Sequence, residues 1–277
     1  MAAGSDELAL PLLVRAIPAT DLADGISPYG YPGGAVGRRG SGPPDPDEVD
    51  WSGTGLVSVF IRERLGGEPC LRRATRRSMV QVHDPSRARS LRSRFGEQIR
   101  RNERRGYRFE MLRGPQTSIE QRSSFHAAYT ETMERAQAAN RYLYDRDYFG
   151  TILGFRHAWL LLVRSPEGAT AAGAIVALSD GLLHYYLGGT ATAHLGDSPF
   201  KNAAEAMIRL ADELGVPLNL GGGVRPGDGL EDFKRGFSNA ELPFHTHEIV
   251  CDRDAYRRLS GGRADSGFFP LYREPAT

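Results

Sequence analysis

Lysine is nearly missing from this chain. Of 35 basic residues in a sequence of 277, only Lys201 and Lys234 are lysines, and every other positive side chain is arginine. The two groups differ chemically: an ammonium is a compact point charge on a flexible stem, whereas a guanidinium is a rigid planar fork. Cysteine is scarce too. Cys70 and Cys251 stand far apart without a CxxC pair or Cys/His ligand spacing, so neither a disulfide framework nor a zinc site is indicated. No apolar run approaches the length of a bilayer span. The opening MAAGSDELALPLLVRAIP sets acids, not a basic cluster, ahead of its short apolar stretch, unlike a secretory signal. A reduced, cytoplasmic protein is the expectation. The chain also lacks a GxSxG elbow and any catalytic Cys/His signature, the features a covalent acyl-enzyme calls for.

What is present suits one large or two modest soluble domains. The formal net charge is only +1, but it is unevenly spread. RARSLRSRFGEQIRRNERRGYR, Arg87 to Arg108, holds nine arginines and two glutamates. Its spacing predicts a helix from about Arg87 to Arg105 that docks through Leu91, Phe95 and Ile99. Arg100, Arg101, Arg104 and Arg105 are then left to solvent or to a polyanion. The first fifty residues read as irregular, crowded with Gly, Pro, Ser and Asp. Within them Tyr29 and Tyr31 flank Gly30 between two prolines, as a pocket lining or a surface turn. GLVSVFIRERL fits a helical face, while RSMVQVHD and GYRFEMLRG read as strands.

After Gly114-Pro115 the pattern restarts. TSIEQRSSFHAAYTETMERAQ predicts a helix buried through Ile119, Phe125, Ala128, Tyr129 and Met133, and RYLYDRDYFGTIL a second helical piece. AWLLLVR, ATAAGAIVALS and GLLHYYLGGT predict an antiparallel meander. DSPFKNAAEAMIRLADELG predicts a helix with Ser198 as N-cap, Pro199 at the first helical position and Gly215 as a left-handed stop. VPLNL returns as a strand and enters the glycine-rich stretch NLGGGVRPGDGLEDFKRGFS. The fold class expected is α+β.

HYYLGGT, SPFKNAAEAMIRLADELGV, LNLGGG and GLEDFKRGFS, with SPYGYPGG and IRRNERRGY upstream, resemble the Fem family of aminoacyl-tRNA-dependent peptidyl transferases. The resemblance implies the GCN5-related N-acetyltransferase (GNAT) fold, a mixed and mainly antiparallel sheet flanked by helices. It also implies two such domains: a reduced one over residues 1–114 on the acceptor side, and a complete one over 115–277 on the aminoacyl-tRNA side. The chain departs from the peptidoglycan-bridge members in being short and in lacking a long charged helical hairpin.

The reaction so implied is aminolysis of an ester already activated on transfer RNA, with no cofactor beyond that co-substrate. Its demands are to hold amine and ester together and to stabilise developing charge. The resemblance puts Lys234 of the FK..F motif at the donor end of the transfer RNA, with Phe233 and Phe237 as packing flanks. Gly221, Gly222 and Gly223 let backbone approach a ligand, and Asp228 either caps the lysine's helix or orients the lysine. It also implies that Arg135, Tyr142, Tyr144 and Tyr148 line the cleft and that Tyr29 and Tyr31 belong to the acceptor pocket. Lys201 joins the arginines as a transfer RNA contact. Tyr185 and Tyr186 cannot share a strand face; Tyr186 is expected in the cleft and Tyr185 in the core. His245 and His247 share a face but lack a third ligand, so they read as structural and no metal is expected.

Three activities compete. The first is transfer of an aminoacyl group to the amine of a peptide-like acceptor, either a peptidoglycan precursor or a peptide antibiotic intermediate. The second is N-acylation from an acyl-coenzyme A, disfavoured because HLGDSPFKN lacks the R/Q-x-x-G-x-G/A cradle and sets Asp197 where pyrophosphate would sit. The third is binding of transfer RNA or a nucleotide-linked precursor without turnover.

Overall fold

The computed structural model describes residues 2–3, 6–37, 42–223, 227–264 and 266–275. Parts of the N-terminal glycine-rich stretch (38–41) and of the GGGVRPGDG stretch (224–226) therefore lie outside the described residues. Two compact units emerge, one comprising Met1–Met79 with Leu242–Thr277, the other Val80–Glu241. This differs from a cut at residue 114, for reasons of hydrogen bonding that each unit makes plain.

The first unit is mostly strand. β1 (Ala2–Ala3), β2 (Asp6–Ala9) and β5 (Ala35–Gly37) form a small antiparallel sheet, while β3 (Leu13–Ala16) pairs with β4 (Ala23–Ile26) and β4 runs parallel to β6 (Leu56–Arg62). The expectation of an irregular first fifty residues is thus corrected: the glycines and prolines separate short strands, and do not abolish them. The helix expected at GLVSVFIRERL is likewise corrected to β6. Val57, Val59 and Ile61 share one buried face, and on the other Ser58 is buried as well, with Leu56 and Phe60 half-buried; a run covered on both faces has no period that separates strand from helix. β13 (Ala240–Val250) returns from the C-terminal side and pairs Thr246–Val250 with β6, which ties the end of the chain to this unit. α6 (Arg253–Ser260) follows it.

The second unit carries a mixed, mainly antiparallel sheet. Its order runs from β7 (Thr75–His83, in its last residues) through β12 (Leu218–Gly221), β11 (Leu182–Thr190), β10 (Thr170–Ser179) and β9 (Ala158–Arg164) to β8 (Arg108–Arg113). Only β11 and β12 run parallel here. β8 pairs with β9 along its whole length, so the segment before residue 114 shares a sheet with the residues after it. β9 is buried on both faces, and successive residues feed two cores: Trp159 and Leu161 pack with α1 (Ser93–Arg104) and α4 (Phe200–Leu214), Leu160 and Leu162 with α2 (Ile119–Arg135) and α3 (Arg146–Gly154).

Several helix boundaries depart from expectation. α1 starts at Ser93 rather than Arg87, because the preceding segment is pinned in place: Arg92 N–H donates to the Gly236 carbonyl at 2.9 Å and Asn239 Nδ2 to that of Ala88 at 3.2 Å. Phe95 and Ile99 are buried as expected, joined by Asn102. α2 opens with a capping box on Ser118 and Gln121, and Ile119 at its start is 79% exposed rather than buried. Pro199, not Ser198, is the N-cap of α4; Ser198 sits in left-handed backbone with φ 48°. Gly215 ends α4 left-handed as expected. Among the described residues no helix is long and apolar enough to cross a membrane.

Candidate functional site

The parallel pair β11 and β12 is short. Only Leu183 with Leu218 and His184 with Asn219 are in register; beyond them Gly221, at φ 79°, turns the chain out of the sheet. Asn219 holds this exit, with Oδ1 accepting from Gly221 N–H at 2.8 Å and Nδ2 lying 3.1 Å from His184 Nδ1. Where the two strands part, a cavity of about 260 Å³ opens. Its walls are Tyr185, Gly188, Gly189 and Thr190 of β11, Leu220 of β12, Phe200, Ala204 and Met207 of α4, Thr132 of α2, and Leu230, Phe233, Lys234 and Phe237.

α5 (Gly229–Arg235) carries the lysine. The Asp228 carboxylate accepts from Glu231 N–H at 2.8 Å and so caps this helix, and its charge also favours the Lys234 ammonium. Lys234 is half-buried. Its Nζ donates to the Gly222 carbonyl at 2.6 Å and lies 5.8 Å from the centre of the Tyr185 ring. Burial brings its pKa down to about 8, with Asp228 opposing the shift. Phe233 and Phe237 pack on each other at 5.3 Å and on Phe95 of α1 at 5.5 and 5.0 Å. Gly236 is needed there, since a Cβ would fall 2.2 Å from the Phe95 ring. Gly223 follows Gly222, partly buried, at the edge of the described residues.

Tyr185 and Tyr186 occupy opposite faces, but it is Tyr185 that lines the cavity with Lys234. Tyr186 joins the α2–α3 core, where its hydroxyl bonds that of Tyr148. Tyr144 stacks on Tyr148 at 4.1 Å, and the Tyr142 carbonyl accepts from Tyr129 Oη at 2.6 Å. None of Tyr142, Tyr144, Tyr148 or Tyr186 is among the residues lining the cavity. Arg135 stands just behind it. The guanidinium donates to the Thr190 carbonyl at 2.6 Å, Thr132 Oγ1 at 2.9 Å and Thr192 Oγ1 at 2.6 Å, and so braces two of the cavity's polar wall residues.

Lys201 occupies an adjoining open pocket of about 470 Å³ with Arg94, Gln98, Asp232 and Phe233. Its Nζ stands 5.2 Å from the Phe95 ring centre, and burial, with Arg94 nearby, lowers its pKa. Phe233 is common to both cavities. Arg100, Arg101, Arg104 and Arg105 are exposed. Arg105 is ion-paired with Asp197, whose carboxyl is also held by Tyr107 Oη at 2.7 Å and titrates below the usual range because of that bond. Arg100 and Arg104 line a shallow basic hollow of about 640 Å³ with Arg209, which lies over Phe109.

Tyr29 and Tyr31 belong to the first unit. Tyr29 is 77% exposed and Tyr31 packs edge-on against Phe244 at 5.2 Å. His247 Nε2 lies 2.7 Å from Glu63 Oε1, both buried, and Glu63 also accepts from the Cys70 N–H at 3.1 Å. Among the described residues no group of three or more His, Cys, Asp or Glu side chains is placed to hold a metal ion. Tyr185, Thr132, Thr190 and Gly188–Gly189 were not singled out by sequence reasoning as site residues; the GGT run at the end of β11 was the available signal, since small residues on a strand mark close approach.

A sheet whose one parallel pair splays open over a helix is the frame of an acyltransferase of the GNAT type. The family model described as an acetyltransferase (GNAT) domain matches residues 89–235, just over half the chain, and the chain belongs to this family. None of the curated proteins matches the sequence. Among solved structures, FemX is similar with a TM-score of 0.60 at 13% identity, over 89% of this chain and 85% of that one. L-PGS from Bacillus licheniformis is similar with a TM-score of 0.58 at 14% identity, over 91% and 86% of the two chains. The C-terminal domain of a putative lysylphosphatidylglycerol synthetase from Agrobacterium fabrum also gives 0.58 at 14%, over 93% and 87%. At such identities the likeness is one of fold: this chain is Fem-like in architecture.

Proposed function

We propose that the protein transfers an aminoacyl group from transfer RNA to the amine of a small peptide-like acceptor. The observation that carries this reading is Lys234, a half-buried ammonium tethered to a backbone carbonyl beside an open cavity, where desolvation draws its pKa down to about 8. In the reaction the acceptor nitrogen attacks the ester carbonyl, a C–N bond forms, the C–O bond to the ribose breaks, the ribose oxygen takes up a proton, and the nitrogen gives one up, which restores the donor. An ammonium more acidic than an ordinary lysine suits that last step, both as a charge against the developing oxyanion and as a proton donor. No covalent enzyme intermediate and no cofactor is needed. FemX and the synthetase domain share the fold, and the latter's name gives it an aminoacyl product, which agrees with this reading.

Arg100, Arg101, Arg104 and Lys201 supply the polyanion contact, and Arg105 adds to it when released from Asp197. The acceptor is assigned to the first unit, a reduced GNAT-like domain carrying Tyr29 and Tyr31, and is a peptide antibiotic intermediate or a peptidoglycan precursor.

The family name favours a second reading, N-acylation from an acyl-coenzyme A. The start of α4 argues against it. Pro199 has no N–H, the N–H groups of Lys201 and Asn202 donate to the Ser198 and Pro199 carbonyls, and Asp197 precedes them, which leaves a poor cradle for pyrophosphate. The test is a purified reaction with charged transfer RNAs and amine acceptors, run beside acetyl-coenzyme A. Product that ribonuclease abolishes supports the first reading; product from the thioester in the presence of ribonuclease replaces it with the second.

A further inference from the structure

The cavity beside Lys234 restricts what can be transferred. Phe200, Ala204, Met207, Leu220 and Phe233 give it apolar walls, and Lys234 is the one charged side chain among the described residues that line it. The acids of the same helix do not line it: Asp228 caps the helix and favours the Lys234 ammonium by its charge, Glu231 pairs with Arg235, and Asp232 with Arg92. Glu205, on α4, pairs with Arg89 and Arg209. Among the described residues, therefore, no carboxylate lines the space. Gly188 preserves its shape, since a Cβ there would fall 2.4 Å from Tyr185 Oη and 2.6 Å from the Phe200 ring.

We propose that this cavity is a side-chain pocket that selects a neutral, apolar aminoacyl group of roughly the size of leucine, methionine or phenylalanine. The inference rests on the transfer reading above, which sets the ester at the Lys234 ammonium and so lays the group on its α-carbon against these walls. A dry apolar hollow of about 150 Å³ is enough for a benzene ring, and the space here is about 260 Å³. A lysyl or arginyl group would bring a second cation beside Lys234 with no carboxylate among the described lining residues to meet it, so repulsion adds to desolvation. An aspartyl or glutamyl group would pair with Lys234 and occupy the ammonium that the ester requires. Glycyl and alanyl groups would leave the walls uncovered.

The experiment uses the full chain and short RNAs ending in CCA that carry leucyl, phenylalanyl, alanyl, lysyl or glutamyl groups through a stable amide in place of the ester. Leucyl and phenylalanyl conjugates are expected to bind about tenfold or more tightly than alanyl, and roughly a hundredfold more tightly than lysyl. Equal binding of lysyl and leucyl conjugates overturns the pocket while leaving transfer RNA dependence standing. Failure of every conjugate, with acetyl-coenzyme A bound instead, overturns both. Ala204→Leu fills the cavity and is expected to shift preference toward alanyl. Should that variant not fold, Leu230→Ala, at a cavity residue 43% exposed, is expected to weaken leucyl binding selectively. An equal loss for all conjugates in either folded variant counts against the proposal.

Discussion

Lys234 and Gly222 are joined across twelve residues by a hydrogen bond of 2.6 Å from Nζ to the carbonyl oxygen. The bond holds the ammonium across the exit of β12, where Gly221 leaves no Cβ to obstruct it: one there would lie 3.1 Å from Nζ. A charged group is thus kept in a poorly solvated place by one acceptor among the described residues and by the charge of Asp228, which is a costly arrangement to maintain without a use.

Lys234→Ala is expected to lower kcat/KM by about 10²–10³-fold, the scale for loss of one preorganised charge-stabilising donor, with a much smaller effect on thermal unfolding. Lys234→Arg should recover only part of it, because the fork cannot follow the same geometry. Steady-state kinetics beside a melting curve decides the point; normal turnover in the alanine variant removes the assignment.

The ammonium's pKa near 8 has two pH consequences. If the protonated form works, the rate falls as pH rises through about 8, and the Lys234→Arg variant loses that limb. Stability moves the other way. The unfolded lysine titrates near its ordinary 10.5, so between about 8 and 10.5 the unfolded state binds more protons than the folded one, and folding stability contributed by this group rises with pH. The wild type should therefore gain on Lys234→Ala across that window in denaturant titrations at matched pH.

Tyr185→Phe and Tyr186→Phe should separate the two faces of β11. The first keeps the cavity wall but removes its hydroxyl, and is expected to change turnover. Loss of the Tyr186 hydroxyl leaves Tyr148 without that partner and is expected to cost about 1 kcal/mol of stability, with kcat/KM nearly unchanged. Equal kinetic effects would contradict the placement.

Gly189→Ala should be among the more damaging small substitutions in the second unit. Its Cβ would stand 2.6 Å from the Tyr129 backbone N and Cα, atoms that a helix cannot move aside cheaply. Overpacking of this kind costs about 1–3 kcal/mol or more. Urea midpoints would register it.

Replacing Arg100, Arg101 and Arg104 with glutamine should weaken transfer RNA binding and flatten its dependence on salt, by about 0.7–0.9 in log–log slope for each phosphate no longer neutralised. Titrations at several salt concentrations test this, and an unchanged slope would return the helix to a solvated surface.

How much of the molecule was legible in the sequence varied with the source of the signal. The meander from β9 to β11 and the Gly215 stop follow from β-branched and aromatic runs, turn residues and capping chemistry, and the Asp228 cap was one of the two roles the sequence offered, all local rules that a chain carries with it. Lys234 stood out as well, though through family resemblance and scarcity, not geometry. β6 was misread because burial on both faces erases periodicity, and the start of α1 because tethers from residues 236 and 239 hold the preceding segment out of the helix.

Sequence alone determined which residues could turn, cap, alternate or carry charge, since those properties belong to each side chain and its near neighbours. Only the tertiary structure decided that Tyr185 rather than Tyr186 meets Lys234, that Arg135 braces threonines and does not line the cavity, and that no carboxylate of the described residues reaches that space. These are facts about segments far apart in the chain, fixed by sheet register and by which helix covers which face, and no local pattern encodes them.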